Sequence, residues 1–163
     1  MSLIASRTLR ASGKHEEARL LLIELAARLP HDAEVQYEAA CVHDYLGQEA
    51  DAVPYYLAAL SGELSEKHRL SAYVGLGSTY RTLGMYADAD RVLQEGLGRY
   101  PESAALKVFF AMVQYNLGHS KSAIEGLLVL LLQVSSDAEI KAYSSAIKLY
   151  AQDIERVWPQ SAA

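Results

Sequence analysis

The sequence predicts an all-α chain in which a pair of helices recurs about four times and one further helix closes the end. Three observations predict it. Four glycines, Gly13, Gly47, Gly84 and Gly118, stand 34, 37 and 34 residues apart, and five residues after each comes an alanine: Ala18, Ala52, Ala89 and Ala123. The text around them reads alike, as ASGKHEEA, YLGQEADA, TLGMYADA and NLGHSKSA. Apolar residues recur at helical spacing almost throughout, with no strand-like alternation and only four prolines and ten glycines in 163 residues. A period in the mid-thirties is that of a stacked helical-pair repeat.

Each glycine is expected in the turn between the two helices of a pair, where it can take φ > 0 at a helix C-terminus. The alanine that follows lies early in the second helix, where a methyl lets two backbones approach closely. The first pair is read as helices over 3–11 and 16–29, stopped at Pro30. The second covers 33–46 and 49–60, with Pro54 placed early enough that its missing N–H costs little. The third covers 66–83 and 87–100, closed by Pro101, and the fourth 103–117 and 120–134. A last helix is expected over 138–157, ending at Trp158-Pro159. The long step of 37 belongs to the stretch SGELSEKH, Ser61 to His68, as a longer loop or an early start to the next helix. With no other linker visible, the whole of 1–163 is read as a single domain with units of about 1–30, 31–64, 65–101 and 102–135.

Composition narrows the class of function. Fifteen basic residues stand against 20 acidic ones, a net charge of −5 without long runs of either sign. That balance lacks the electrostatic footprint of a nucleic-acid or anionic-membrane binder. Cys41 is the only cysteine, so neither an internal disulfide nor a thiolate metal cage is expected. The first ten residues, MSLIASRTLR, hold no signal-like apolar stretch, and the greasiest run, Leu127 to Leu132, is far short of the ~20 residues of a membrane span. A cytoplasmic location is the expectation.

These residues resemble the tetratricopeptide repeat. The third unit matches that motif best, with Tyr73, Leu76, Gly77, Tyr80, Gly84, Ala89, Leu93, Gly96 and Pro101 in order. The small residue of the first helix falls on Ser6, Ala40, Gly77 and Ala111. The late small residue of the second helix is replaced by Leu25 and Leu130, and the closing proline by Leu64 and Ser135. The chain is also similar, along nearly its whole length, to a group of small bacterial tetratricopeptide-repeat proteins of unassigned function. The resemblance implies a right-handed superhelical solenoid of four helix pairs with a C-terminal capping helix, whose first helices line a concave groove. It implies a non-catalytic scaffold that holds a protein or peptide there.

The groove positions so implied include Arg7 and Arg10 in the first unit, then Glu34, Tyr37, Cys41, Asp44 and Tyr45 in the second. They continue with Ser78 and Arg81 in the third unit and Val108, Met112, Tyr115 and Asn116 in the fourth. Tyrosine and arginine anchor interfaces most often, which puts Tyr45, Arg81 and Tyr115 foremost; the competing reading packs such aromatics against a neighbouring repeat. The lysine and asparagine positions of the clamp that grips chaperone C-terminal carboxylates hold Leu3, Tyr37, Arg7 and Cys41 instead, so that clamp is not expected.

No catalytic, cofactor or metal residues are assigned. The five histidines are scattered without paired-ligand spacing. His43 and Asp44 are adjacent on a helix and point about 100° apart, which makes them no acid–base pair. GLGSTYRTLG lacks the ending of a phosphate loop, and Gly77 is read as a close-packing position. Finally, AIEGLLVLLLQV is apolar nearly all round and is expected to be buried, covered in part by the stripe Ile140, Tyr143, Ile147, Tyr150 and Ile154. The alternative function is a structural component that self-associates, as a homodimer, through this C-terminal end.

Overall fold

The computed structural model describes residues 2–158, in which every regular element is a helix. The chain divides into two compact units, Met1–Pro101 and Glu102–Ala163. The first holds α1 (Leu3–Ala11), α2 (His15–Arg28), α3 (Ala33–Tyr45), α4 (Glu49–Ser61), α5 (Glu66–Thr82) and α6 (Tyr86–Arg99). The second holds α7 (Ala104–Asn116), α8 (Ser120–Val134), α9 (Ala138–Ala142) and α10 (Ser144–Tyr150). The chain is thus an all-α helical repeat, and the first eight helix boundaries fall within a residue of those expected.

One device makes all four turns within pairs. Gly13, Gly47, Gly84 and Gly118 sit at φ between 71° and 87°. Each glycine N–H donates three residues back and the next N–H five back, as in Gly47 to the Asp44 carbonyl and Gln48 to that of His43. This is a Schellman closure, which satisfies carbonyls left over at a helix end. A Cβ at any of the four would meet nothing within 4 Å, so the demand for glycine is conformational and not spatial. The partner alanines Ala18, Ala52, Ala89 and Ala123 are buried, as are Ser6, Ala40, Gly77 and Ala111 at the small first-helix positions. At Gly77 a Cβ would lie 2.6 Å from Leu93, which is the close approach expected of it.

Of the four first helices, all but α5 start differently from the second helices. Ser2, Asp32 and Ser103 cap α1, α3 and α7 by accepting backbone N–H groups, whereas α2, α4, α6 and α8 start without a side-chain cap. The core of the first unit gathers Leu22, Leu25, Val35, Ala39 and Val42 around α2 and α3. Its other half is built on Tyr56, Leu76, Val92 and Leu93.

The three extra residues of the long step lengthen α5 and leave the loop unchanged, since the joints at 29–32, 62–65 and 100–103 are four residues each. Residues 62–65 are non-helical, and α5 runs 17 residues where α3 and α7 run 13. Arg69 stabilises the joint by donating to the Leu60 and Gly62 carbonyls at the end of α4, the placement that favours a cation at a helix C-terminus. Glu34 reaches over from α3 to accept from the Ser65 N–H and the His68 ring.

Three expectations are corrected. Pro54 is the sixth residue of α4, beyond the first turn, so α4 forgoes one internal hydrogen bond there. The last helix does not run to Val157: it breaks at Tyr143, whose ψ of 6° precedes two serines, and α10 ends at Tyr150. The chain then turns, because Lys121 on α8 holds Asp153 and Glu125 accepts the Ile154 N–H. Pro159 lies outside the described residues. Lastly, α8 is not buried all round. Ala123 and Leu130 are its buried residues, while Ile124, Leu127, Val129, Leu131 and Val134 are exposed, because α7 and α10 together cover only part of its circumference. Of the stripe meant to cover it, Ile140 and Ile147 are half-buried and Tyr143, Tyr150 and Ile154 are exposed.

Candidate functional site

One face of α3 carries Glu34, Tyr37, Glu38, Cys41, Asp44 and Tyr45, the three-and-four spacing that aligns side chains along a helix. The two ends of this face do different things. At its N-terminal end the charges are consumed internally. Glu38, 5% exposed, accepts from Arg7 Nε at 2.7 Å and from Arg10 Nη1, so the two arginines of α1 serve to hold a buried carboxylate. Burial works against the Glu34 carboxylate, but the Ser65 amide and His68 outweigh it and hold the carboxyl below its usual value. Tyr37 stacks on His68 with ring centroids 4.6 Å apart and meets Tyr56 at a tilt.

Toward the C-terminal end the face opens into a cleft of about 450 Å³ in the first unit. Cys41, Asp44 and Tyr45 line it from α3, and Glu49 and Tyr56 from α4. The third side, from α5, is hydroxyl-bearing: Ser78, Thr79 and Thr82. Asp44 stands at its base. Its Oδ2 accepts from the Tyr56 hydroxyl at 2.7 Å and its Oδ1 faces the Thr79 hydroxyl at 2.7 Å. Burial pushes the Asp44 carboxyl up from its ordinary value, and the hydroxyl contacts pull the other way. Tyr56 reaches this point because Gly75 has no side chain: a Cβ there would collide with the Tyr56 hydroxyl. Burial likewise pushes the Cys41 thiol up, which keeps it protonated and poorly nucleophilic. Tyr45, 66% exposed, forms the outer wall and stacks by one face on His15, 3.8 Å away.

The remaining sequence candidates are dispersed. Ser78 lines the cleft, and Arg81 is half-buried one turn further along α5. In the second unit Met112 and Tyr115 are exposed on α7, and Val108 and Asn116 half-buried. His43 turns away from Asp44: its Nδ1 donates to the Ala39 carbonyl and its ring stacks on Tyr55. It lines a separate cavity of about 570 Å³ with Arg19, Gln36 and Asp51. Among the described residues no three of His, Cys, Asp and Glu gather as a metal site would need, and no helix is long and apolar enough to cross a membrane.

Sequence reasoning missed Glu38, Glu49, Tyr56, His68 and Thr79. Tyr56 and Thr79 belong to the faces that pack helix against helix, and only the tertiary juxtaposition shows that their hydroxyls emerge at Asp44. The signal available for Tyr56 was Gly75, a helical glycine outside the repeat motif, which marks a place where something large approaches.

A family model described as Tetratrico peptide repeat matches residues 33–154, about three quarters of the chain. No curated protein matches the sequence.

Proposed function

Because the chain belongs to the tetratricopeptide repeat family, we propose that it is a non-catalytic scaffold that holds a protein or peptide segment against the first helices of its pairs. The α3–α4–α5 cleft carries this reading. It is a recess in the first unit, lined by hydrogen-bonding groups and walled by the exposed Tyr45, and such convergent polar groups beside an aromatic anchor suit peptide capture. Arg81 on α5 and, on the second unit, Met112 and Tyr115 extend the same reading to other first-helix positions. The stiff helix–turn–helix scaffold lowers the ordering cost of binding, since the receptor side is already fixed.

A selection from a random-peptide display library on the immobilised chain tests it. Enriched peptides should lose capture in Tyr45→Ala and Arg81→Glu, and Tyr115→Ala should do the same if the second unit takes part, all with unchanged helicity. No enrichment, or equal capture by all three variants, would overturn the reading.

A second reading has one observation in its favour. The exposed row Ile124, Leu127, Leu131 and Val134 on α8 is the kind of apolar surface that self-association covers. Sedimentation equilibrium that shows only monomer at high concentration, with Leu131→Lys unchanged, would remove it.

A further inference from the structure

We propose that the cleft at Asp44 is a receptor for one cationic side chain, a lysine or arginine of the bound segment, with Asp44 as counter-charge, Glu49 as second carboxylate and Tyr45 as aromatic wall. The inference rests on the peptide-binding reading and names the ligand chemistry of that site. The lining holds two carboxylates and neither lysine nor arginine, so the recess carries negative charge without a cation of its own.

Proton counting points the same way. An ionised carboxylate offers about four acceptor positions, and a hydroxyl brings a single proton. Tyr56 supplies one proton to Oδ2. The Thr79 hydroxyl lies 2.7 Å from Asp44 Oδ1 and 2.8 Å from the Gly75 carbonyl, two acceptors that compete for its one proton. When Thr79 donates to its own helix, Oδ1 faces a lone pair. The protein therefore supplies one or two protons to about four acceptor positions, which leaves acceptor capacity on the cleft side for a ligand's donors. An ammonium or guanidinium brings several donors together with the opposite charge, and its hydrogen bonds to a carboxylate are of the stronger, charge-assisted kind. Glu49 adds a like charge near Asp44, which deepens the demand for a cation.

The shape agrees with that chemistry. About 450 Å³ lies at the small end of the range of roughly 300–1,000 Å³ for ligand pockets, suited to one long side chain rather than a whole segment. Tyr45 is held by its stack on His15 and remains largely exposed, so an aromatic surface is available beside the two carboxylates. A cation over such a ring gains a further attraction.

Titration of the 15N-labelled chain with acetyl-arginine amide and acetyl-lysine amide, followed by amide chemical shifts, tests the proposal; acetyl-citrulline amide serves as the neutral control. The cationic amides should shift the amides of residues 44, 45, 49, 78, 79 and 82, saturably and less at high salt. Citrulline should not shift them. Asp44→Asn should weaken the response about tenfold or more, as loss of one member of a desolvated charge pair does, and Glu49→Gln and Tyr45→Ala should weaken it by smaller factors. Equal shifts from citrulline, or an undiminished response in Asp44→Asn, would overturn it. Display selection separates the two readings. Enriched peptides that depend on Tyr45 but show no excess of lysine or arginine refute the cation receptor and leave the scaffold standing; no enrichment refutes the scaffold.

Discussion

Alanine at position 75 is a gain of helix propensity and a loss of space, and the structure decides which wins. In an exposed helix the change would stabilise by about 1 kcal/mol. Here the added methyl meets the Tyr56 hydroxyl, with ring atoms Cζ and Cε1 at 2.6 and 2.9 Å. Tyr56 is 3% exposed and cannot swing into solvent. Overpacking of this kind costs about 1–3 kcal/mol. Displacing the ring also breaks the hydrogen bond to Asp44, a bond to a charged group valued at about 1.5–3 kcal/mol. Set against the propensity gain, Gly75→Ala should destabilise by about 1.5–5 kcal/mol, read as a lower urea midpoint at constant slope in circular dichroism at 222 nm. The diagnostic step is the double variant. In a Tyr56→Ala background the obstacle is gone, so Gly75→Ala should become neutral or stabilising. Destabilisation of equal size in both backgrounds would refute the steric account, and no destabilisation in the wild-type background would show that Tyr56 moves aside without cost.

Gly84→Ala and Gly98→Ala form a second contrast, since neither added methyl meets an atom within 4 Å. Gly84 is at φ 74° and should cost about 1 kcal/mol, whereas Gly98, exposed within α6, should gain about 0.5–1 kcal/mol; thermal melting shows the opposite signs. Glu38→Gln should weaken the first unit by about 1–2 kcal/mol, because Arg7 and Arg10 lose a charged acceptor; the loss should show in urea titration and be absent in Glu38→Gln with both arginines changed to glutamine. The raised Asp44 carboxyl gives a pH signature. The folded state holds that proton more tightly than the unfolded one, so the contribution is present below the ordinary value of 3.8 and is lost as pH rises through the higher folded value. Asp44→Asn should therefore match the wild type in acid and exceed its stability at neutral pH; a gap that widens toward acid would contradict the assignment.

The repeat was legible in the sequence because its determinants are local. Gly47 needs only its own φ, and Ala52 only the partner helix of its own hairpin, so their spacing shows in the text. The phase of α3 followed from the same ladder, which is why Asp44, Tyr45 and Ser78 lie together at the cleft. Arg7 and Arg10 were assigned to a ligand because residue type shows charge but not its partner, and Glu38 is a partner 28 and 31 residues distant. The end of the chain was misread for a similar reason. An unbroken apolar stripe fits one long helix, but the break at Tyr143 falls before two serines and the turn held by Lys121 depends on a contact with α8 that the stripe does not encode.

The Arg69 joint has a consequence for how such a chain can change length. Within every pair the turn glycine stands five residues before its alanine, and a closed ring of backbone bonds fixes the turn itself. Between the turn glycines of the second and third pairs, three additional residues are taken up by a longer α5, whose extra first turn carries a guanidinium that grips two carbonyls of α4. The glycine turn is thus the rigid part of a pair and the outer end of its first helix the adjustable one. Insertions that would wreck a turn can accumulate at such an outer end, and the lengths of those ends, more than the turns, are where one array built from these parts can come to differ from another.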